Sequence, residues 1–155
     1  VVLGYVAGFS IFASIQMAIV LAYILALITF PVTPGQVVAL VALSLLVMLI
    51  ALLLGLLVSF VAHSEFQAVQ FIPLVILPQI FLSDLIWTLD SFPAPFRWIA
   101  VLLPLTHANA LTRDLLLKQV PLWANWGHLA VLLAYFAVTL GLLGWSGRRA
   151  RGMFT

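Results

Sequence analysis

Phe30-Pro31-Val32-Thr33-Pro34-Gly35-Gln36 interrupts a run from Val1 to Ala62 that holds no charged residue. Two prolines and a glycine this close together are a strong turn signal. A helix crosses the hydrocarbon core with about 20 apolar residues. The uncharged run therefore holds two spans, at 3–29 and 37–62, and the short connection makes them an antiparallel pair.

Outward from that pair, His63-Ser64-Glu65 is polar enough for a membrane surface, and a third span is expected at 66–87. It contains Pro73 and Pro78. Each removes a backbone donor, so the helix is expected to bend or break between them. A fourth span is expected at 123–145, with Trp123, Trp126 and Trp145 placed as interfacial anchors and a basic tail at 146–155 carrying Arg148, Arg149 and Arg151.

The segment 88–122 fits no simple loop. Its apolar run 98–105 is too short to cross a bilayer and is interrupted by Pro104. Thr106 reads as the N-cap of a helix reaching about Lys118, with Ala108, Leu111 and Leu115 on one face and Asn109 and Arg113 on another. Asp114 and Lys118 stand four apart with the acid first, the favoured order. Arg97, Arg113 and Asp114 are expected to form ion pairs that fix this segment. The fold expected is an all-α polytopic membrane bundle of four spans, with a re-entrant or interfacial helical hairpin between the last two.

Composition agrees. Of 155 residues, 66% are hydrophobic and 6% charged, against about 25% charged in a soluble domain. That excludes a soluble enzyme, a disordered chain and, at a net charge of +2, a nucleic-acid binder. The absence of cysteine excludes disulfides and thiolate metal sites. The chain begins at Val1 without a basic leader, and reads as a piece of a longer membrane protein.

Chemistry is sparse. No GxxxxGK[ST] string is present, so ATP hydrolysis is not expected here. His63, His107 and His128 are too scattered in sequence to suggest a metal site. Ser59 and His63, four apart, would be the pair of an intramembrane hydrolase. The preferred reading is a serine bonded to its own backbone beside an interfacial histidine. The third span is more informative. Gln67 and Gln70 lie three apart near its start, Gln79 and Ser83 four apart near its end, and Asp84 follows. Amides and an acid on such a helix, with Pro73 and Pro78 between, are expected to face protein or water, either as glue or along a pathway. Gly4-x-x-x-Gly8, and Gly55 with Ser59, carry little weight alone.

An even number of spans puts the start, the His63 turn and the tail on one side, with 31–36 and 88–122 opposite. Three arginines cluster in the tail, against Arg97, Arg113 and Lys118 on the other side. The tighter cluster favours a cytoplasmic tail.

The run Ser64-Glu65-Phe66-Gln67-Ala68-Val69-Gln70 through Pro78-Gln79-Ile80-Phe81-Leu82-Ser83 resembles the signature region of type-2 ATP-binding-cassette (ABC) exporter permeases. So do the stretch from Asp90 to Pro95, and Leu103-Pro104-Leu105-Thr106-His107-Ala108 leading to Arg113. Leu3-Gly4-Tyr5 also looks like the family's opening of this span. Asp84 stands where the family usually has glycine, and His107 where it often has tyrosine. The resemblance implies the last four spans of a six-span, cell-membrane subunit. Two such permeases would work as a dimer, powered by separate ABC ATPase subunits that bind ATP and Mg, with no cofactor in this chain. Substrates of the family include drugs, lipids, polysaccharide precursors and peptides. A scaffold subunit with no transport of its own is the other reading.

Overall fold

In hydrocarbon no water satisfies backbone N–H and C=O groups, so a chain this apolar is stable as helix, which satisfies them internally. The computed structural model describes residues 2–27 and 32–152 and, within these, the side chains of all but 2, 3, 5 and 146–152. Phe30 and Pro31 of the expected turn, the end of the first expected span and residues 153–155 lie outside the described residues. Among the described residues the α-helices are α1 Val2–Leu27, α2 Pro34–Val61, α3 Glu65–Leu82, α4 Ala94–Leu102, α5 Pro104–Leu116 and α6 Trp126–Gly152, with no strand. Four stretches are long and apolar enough to cross a membrane: Val6–Leu27, Pro34–Val61, Glu65–Leu82 and Leu122–Trp145.

Local chemistry sets the ends. α2 starts three residues before the expected span because Thr33 and Gln36 form a capping box. Thr33 Oγ1 accepts from the Gln36 N–H, Gln36 Oε1 accepts from the Thr33 N–H, and Pro34 occupies the first turn, where no donor is missed. α3 is capped by Ser64 and runs as unbroken helix through Pro73 and Pro78. Each proline removes one donor and leaves the rest of the ladder in place. The break falls later than expected: α3 stops at Leu82, five residues short of Trp87. α5 begins at Pro104 with Leu103 as its N-cap, so Thr106 lies inside the first turn instead of capping it. Beyond α5 the chain turns at Gln119, in the left-handed region at φ 57°, and the Val120 N–H donates back to the Asp114 carbonyl. α6 continues to Gly152, so Arg148, Arg149 and Arg151 lie on its last turns and not in a separate tail.

The core forms where α2, α5 and α6 meet. Leu43 and Ile50 of α2, Ala108 and Leu111 of α5 and Leu132 of α6 make one buried cluster. The face expected from Ala108, Leu111 and Leu115 is the buried face of α5. α1 packs against α2, with the Ser14 hydroxyl facing Met48 Sδ at 4.0 Å. No residue of α3 is buried, so it flanks the bundle.

The α4–α5 hairpin lies at the α1–α2 turn end, since Gln36 Nε2 donates to the Leu115 carbonyl at 3.1 Å. Its apex, Leu102 to Pro104, reaches inward: the Tyr135 hydroxyl donates to the Leu102 carbonyl. Tyr135 stands nine residues into α6, about 14 Å along its axis and close to half of a roughly 30 Å core. The apex of the hairpin therefore lies beside the middle of the expected fourth span.

Leu132 is fully buried, whereas its neighbour Leu133 is exposed. Leu132→Ala is expected to cost about 2–4 kcal/mol and Leu133→Ala less than about 1 kcal/mol. Thermal unfolding of the two variants in the same detergent checks the contrast.

Candidate functional site

A helix end leaves carbonyls without partners, and a helix that ends inside a bundle must find donors there. α4 ends this way, and each of its last three carbonyls receives a side chain. Thr106 Oγ1 donates to Ala100 at 2.7 Å, His107 Nε2 to Val101 at 2.8 Å, and the Tyr135 hydroxyl to Leu102. Thr106 and His107 are buried. The sequence reading missed these three residues as a set. The available signal was polar side chains next to Pro104 and a tyrosine in the middle of the fourth span.

The end of α3 is satisfied from the same helix, α5. Asn109 Nδ2 donates to the Ser83 carbonyl at 3.0 Å and to Ser83 Oγ at 3.1 Å. Arg113 Nη1 lies 2.6 Å from the Asp84 carboxylate, and Nη2 donates to the Asp84 carbonyl at 2.7 Å. Asp84 Oδ1 also accepts from the Leu89 N–H. Asp84 has φ 61°, in the left-handed region that glycine reaches freely and Asp tolerates. The backbone here explains why a glycine pattern fits this position, and the carboxylate uses the turn to hold α5. Ser83 is fully buried beneath it.

Two further ion pairs sit on the hairpin segment. Arg97 is 3.5 Å from Asp90, both exposed, and Lys118 is 2.6 Å from Asp114 one turn before it. Asp114 accepts from Asn125 Nδ2 as well, which ties the end of α5 to the start of α6. His107 and His128, far apart in sequence, meet with their Nδ1 atoms 2.8 Å apart.

Between α2 and α3 lies a cleft of about 520 Å³, whose lining also takes in Pro104 and Leu105 at the start of α5 and Leu132 of α6. Its lining is apolar except for Ser59 on α2 and Gln79 on α3. Gln79 Nε2 makes a long 3.4 Å bond to the Val75 carbonyl, which leaves the amide available to another partner. The remaining candidates are elsewhere. Gln67 Oε1 accepts from the His63 N–H at 2.9 Å while the Gln67 N–H donates to Ser64 Oγ, so this glutamine caps its own helix. Gln70 and Pro73 are exposed, and Pro78 is half-buried. Ser59 and His63 share no hydrogen bond among the described residues: one lines the cleft, the other heads the turn into α3.

Asp84 offers a clean test of the lock on α3. Asn tolerates the left-handed backbone and keeps an acceptor for Arg113, so Asp84→Asn is expected within about 1 kcal/mol of the parent. Ala tolerates neither, so Asp84→Ala is expected to lose about 2–3 kcal/mol. Thermal unfolding read by far-UV circular dichroism ranks the two.

Residues 1–117 match the family described as ABC-2 type transporter. Over 65 residues the chain is 38% identical to ABC transporter G family member 20 of Dictyostelium discoideum, a stretch covering 42% of this chain and 9% of that protein. It is 40% identical over 65 residues to Nodulation protein J of Rhizobium leguminosarum bv. viciae, covering 42% of this chain and 25% of that protein. No solved structure matches. With four candidate spans, a helical hairpin packed on them and the family matched over residues 1–117, the chain belongs to the ABC-2 type transporter family and is a multi-pass membrane permease component.

Proposed function

We propose that the chain lines part of the translocation pathway of an ATP-driven exporter, working as a dimer with ABC ATPase subunits that bind ATP and Mg. The cleft between α2 and α3 carries this reading, because Gln79 near one end and Ser59 near the other put polar groups on an otherwise apolar lining. A polar amide in such a setting needs a partner, and a passing substrate or water supplies one. The hairpin apex beside the cleft supports a one-sided, gated cavity rather than an open pore.

The dimer reading is supported by α3. Gln70 is exposed on a helix with no buried residue, and an unpartnered amide in hydrocarbon costs a few kcal/mol. A second permease copy over α3 removes that cost.

We place the chain in a plasma membrane with its tail in the cytoplasm. The orientation is supported by Arg148, Arg149 and Arg151 falling within four positions, whereas Arg97, Arg113 and Lys118 are spread along the hairpin. Export then runs toward the hairpin side. The exported molecule is a small organic compound, a lipid or a polysaccharide precursor.

Copurification of the intact permease with its ATPase, followed by ATP hydrolysis stimulated by candidate substrates, tests the assignment. A permease that recruits no ATPase contradicts it. Gln79→Leu is expected to assemble and to change substrate stimulation. Gln67→Leu is expected to lose about 0.5–2 kcal/mol of stability with stimulation intact, as a cap should. Single cysteines at Asp90 and Arg151 are expected to react with impermeant thiol reagents from opposite faces of sealed vesicles, and labelling of both from one face overturns the orientation.

A further inference from the structure

Two imidazoles meet where the hairpin touches α6. His107 Nδ1 and His128 Nδ1 are 2.8 Å apart, with ring centroids 5.0 Å apart and planes at 50°. His107 Nε2 is 2.8 Å from the Val101 carbonyl. A carbonyl only accepts, so His107 Nε2 carries a hydrogen. Two ring nitrogens at this distance share one hydrogen between them. In the neutral pair His107 therefore presents its lone pair at Nδ1, His128 Nδ1–H donates to it, and His128 Nε2 keeps a lone pair.

Protons can enter this pair in one order only. The first goes to His128 Nε2, and the contact survives as a charge-assisted bond, which is shorter and stronger than a neutral one. A second could reach only His107 Nδ1, where it would set N–H against N–H and cation against cation. We propose that the His107–His128 contact is a one-proton site, and that its occupation tightens the hold of the hairpin on α6.

The surrounding groups fit a single titrating pair. The carboxylate facing His128 is Asp114, bonded to Asn125 just before α6 and paired with Lys118. On α5 Arg113 is engaged by Asp84, and on α4 Arg97 is paired with Asp90. α2 carries no ionisable side chain, and Tyr135 of α6 is committed to the Leu102 carbonyl. His107 is buried and His128 half-buried, so the proton enters at His128. The Val101 carbonyl beside the apex is held by the same His107, which makes the pair a link between acidity on the hairpin side and the rigidity of the hairpin.

The test uses the intact permease in lipid nanodiscs with ¹⁵N-labelled histidine, titrated from about pH 8 to about pH 4.5. The ring signals are expected to show one proton taken up by the pair. Amide exchange at residues 100–107, corrected for the intrinsic rate, is expected to slow about tenfold as that proton binds, the difference between a neutral and a charge-assisted bond. In His128→Ala, His107 Nδ1 has no partner, so protection is expected to fall below the parent at high pH and to lose the rise on acidification. Two protons on the pair, or parent protection that falls or does not change as the first proton binds, overturns the proposal. If His128→Ala fails to fold, the proton count and exchange of the parent decide alone.

Discussion

Three carbonyl groups at the end of a nine-residue helix set the terms for the hairpin end of this protein. α4 stops beside the middle of the fourth span, and a carbonyl left unpaired inside the bundle costs roughly 1–3 kcal/mol; Ala100 also accepts from the Leu103 N–H, whereas Val101 and Leu102 depend on side chains. Thr106 and His107 answer from the next helix, and Tyr135 from α6. Because one donor comes from α6, the hairpin cannot slide along that span without losing a bond it has no means to replace. The apolar face of α5, buried against α2 and α6, supplies the packing, while the hydrogen bonds fix the depth.

The same helix then orders α3. Asn109 and Arg113 are donors to the carbonyls of Ser83 and Asp84, so α5 closes two helix ends at once. This division of labour explains why α5 is the least apolar helix in the chain: its polar residues are spent on other helices' backbones. It also places the apex beside the α2–α3 cleft, where any movement of the hairpin alters the cavity lining.

The spans were legible in the sequence because burying or solvating them admits few answers: long uncharged runs and a proline-glycine turn suffice. The α5 core face was legible too, since Ala108, Leu111 and Leu115 repeat at helical spacing. What sequence could not show is pairing across distance. Tyr135 reads as one more residue of an apolar span until Leu102 stands beside it, and His107 and His128 read as isolated until α5 lies along α6. The third helix was drawn too long because Leu85, Ile86 and Trp87 are apolar, whereas its end is decided by the left-handed backbone at Asp84. Gln67 was grouped with Gln79 by residue type, but proximity to a helix start makes one a cap and a cleft makes the other available.

The depth of the hairpin tests this account most directly. Nitroxide labels placed singly along 90–118 in the intact permease, reconstituted in lipid, report immersion by their relative exposure to oxygen and to a water-soluble nickel complex. The account predicts a V-shaped profile: position 90 in water, depth increasing along α4, a maximum near Leu102, and a return to water at Lys118. A profile that stays at headgroup depth throughout, with no maximum at the apex, would contradict it.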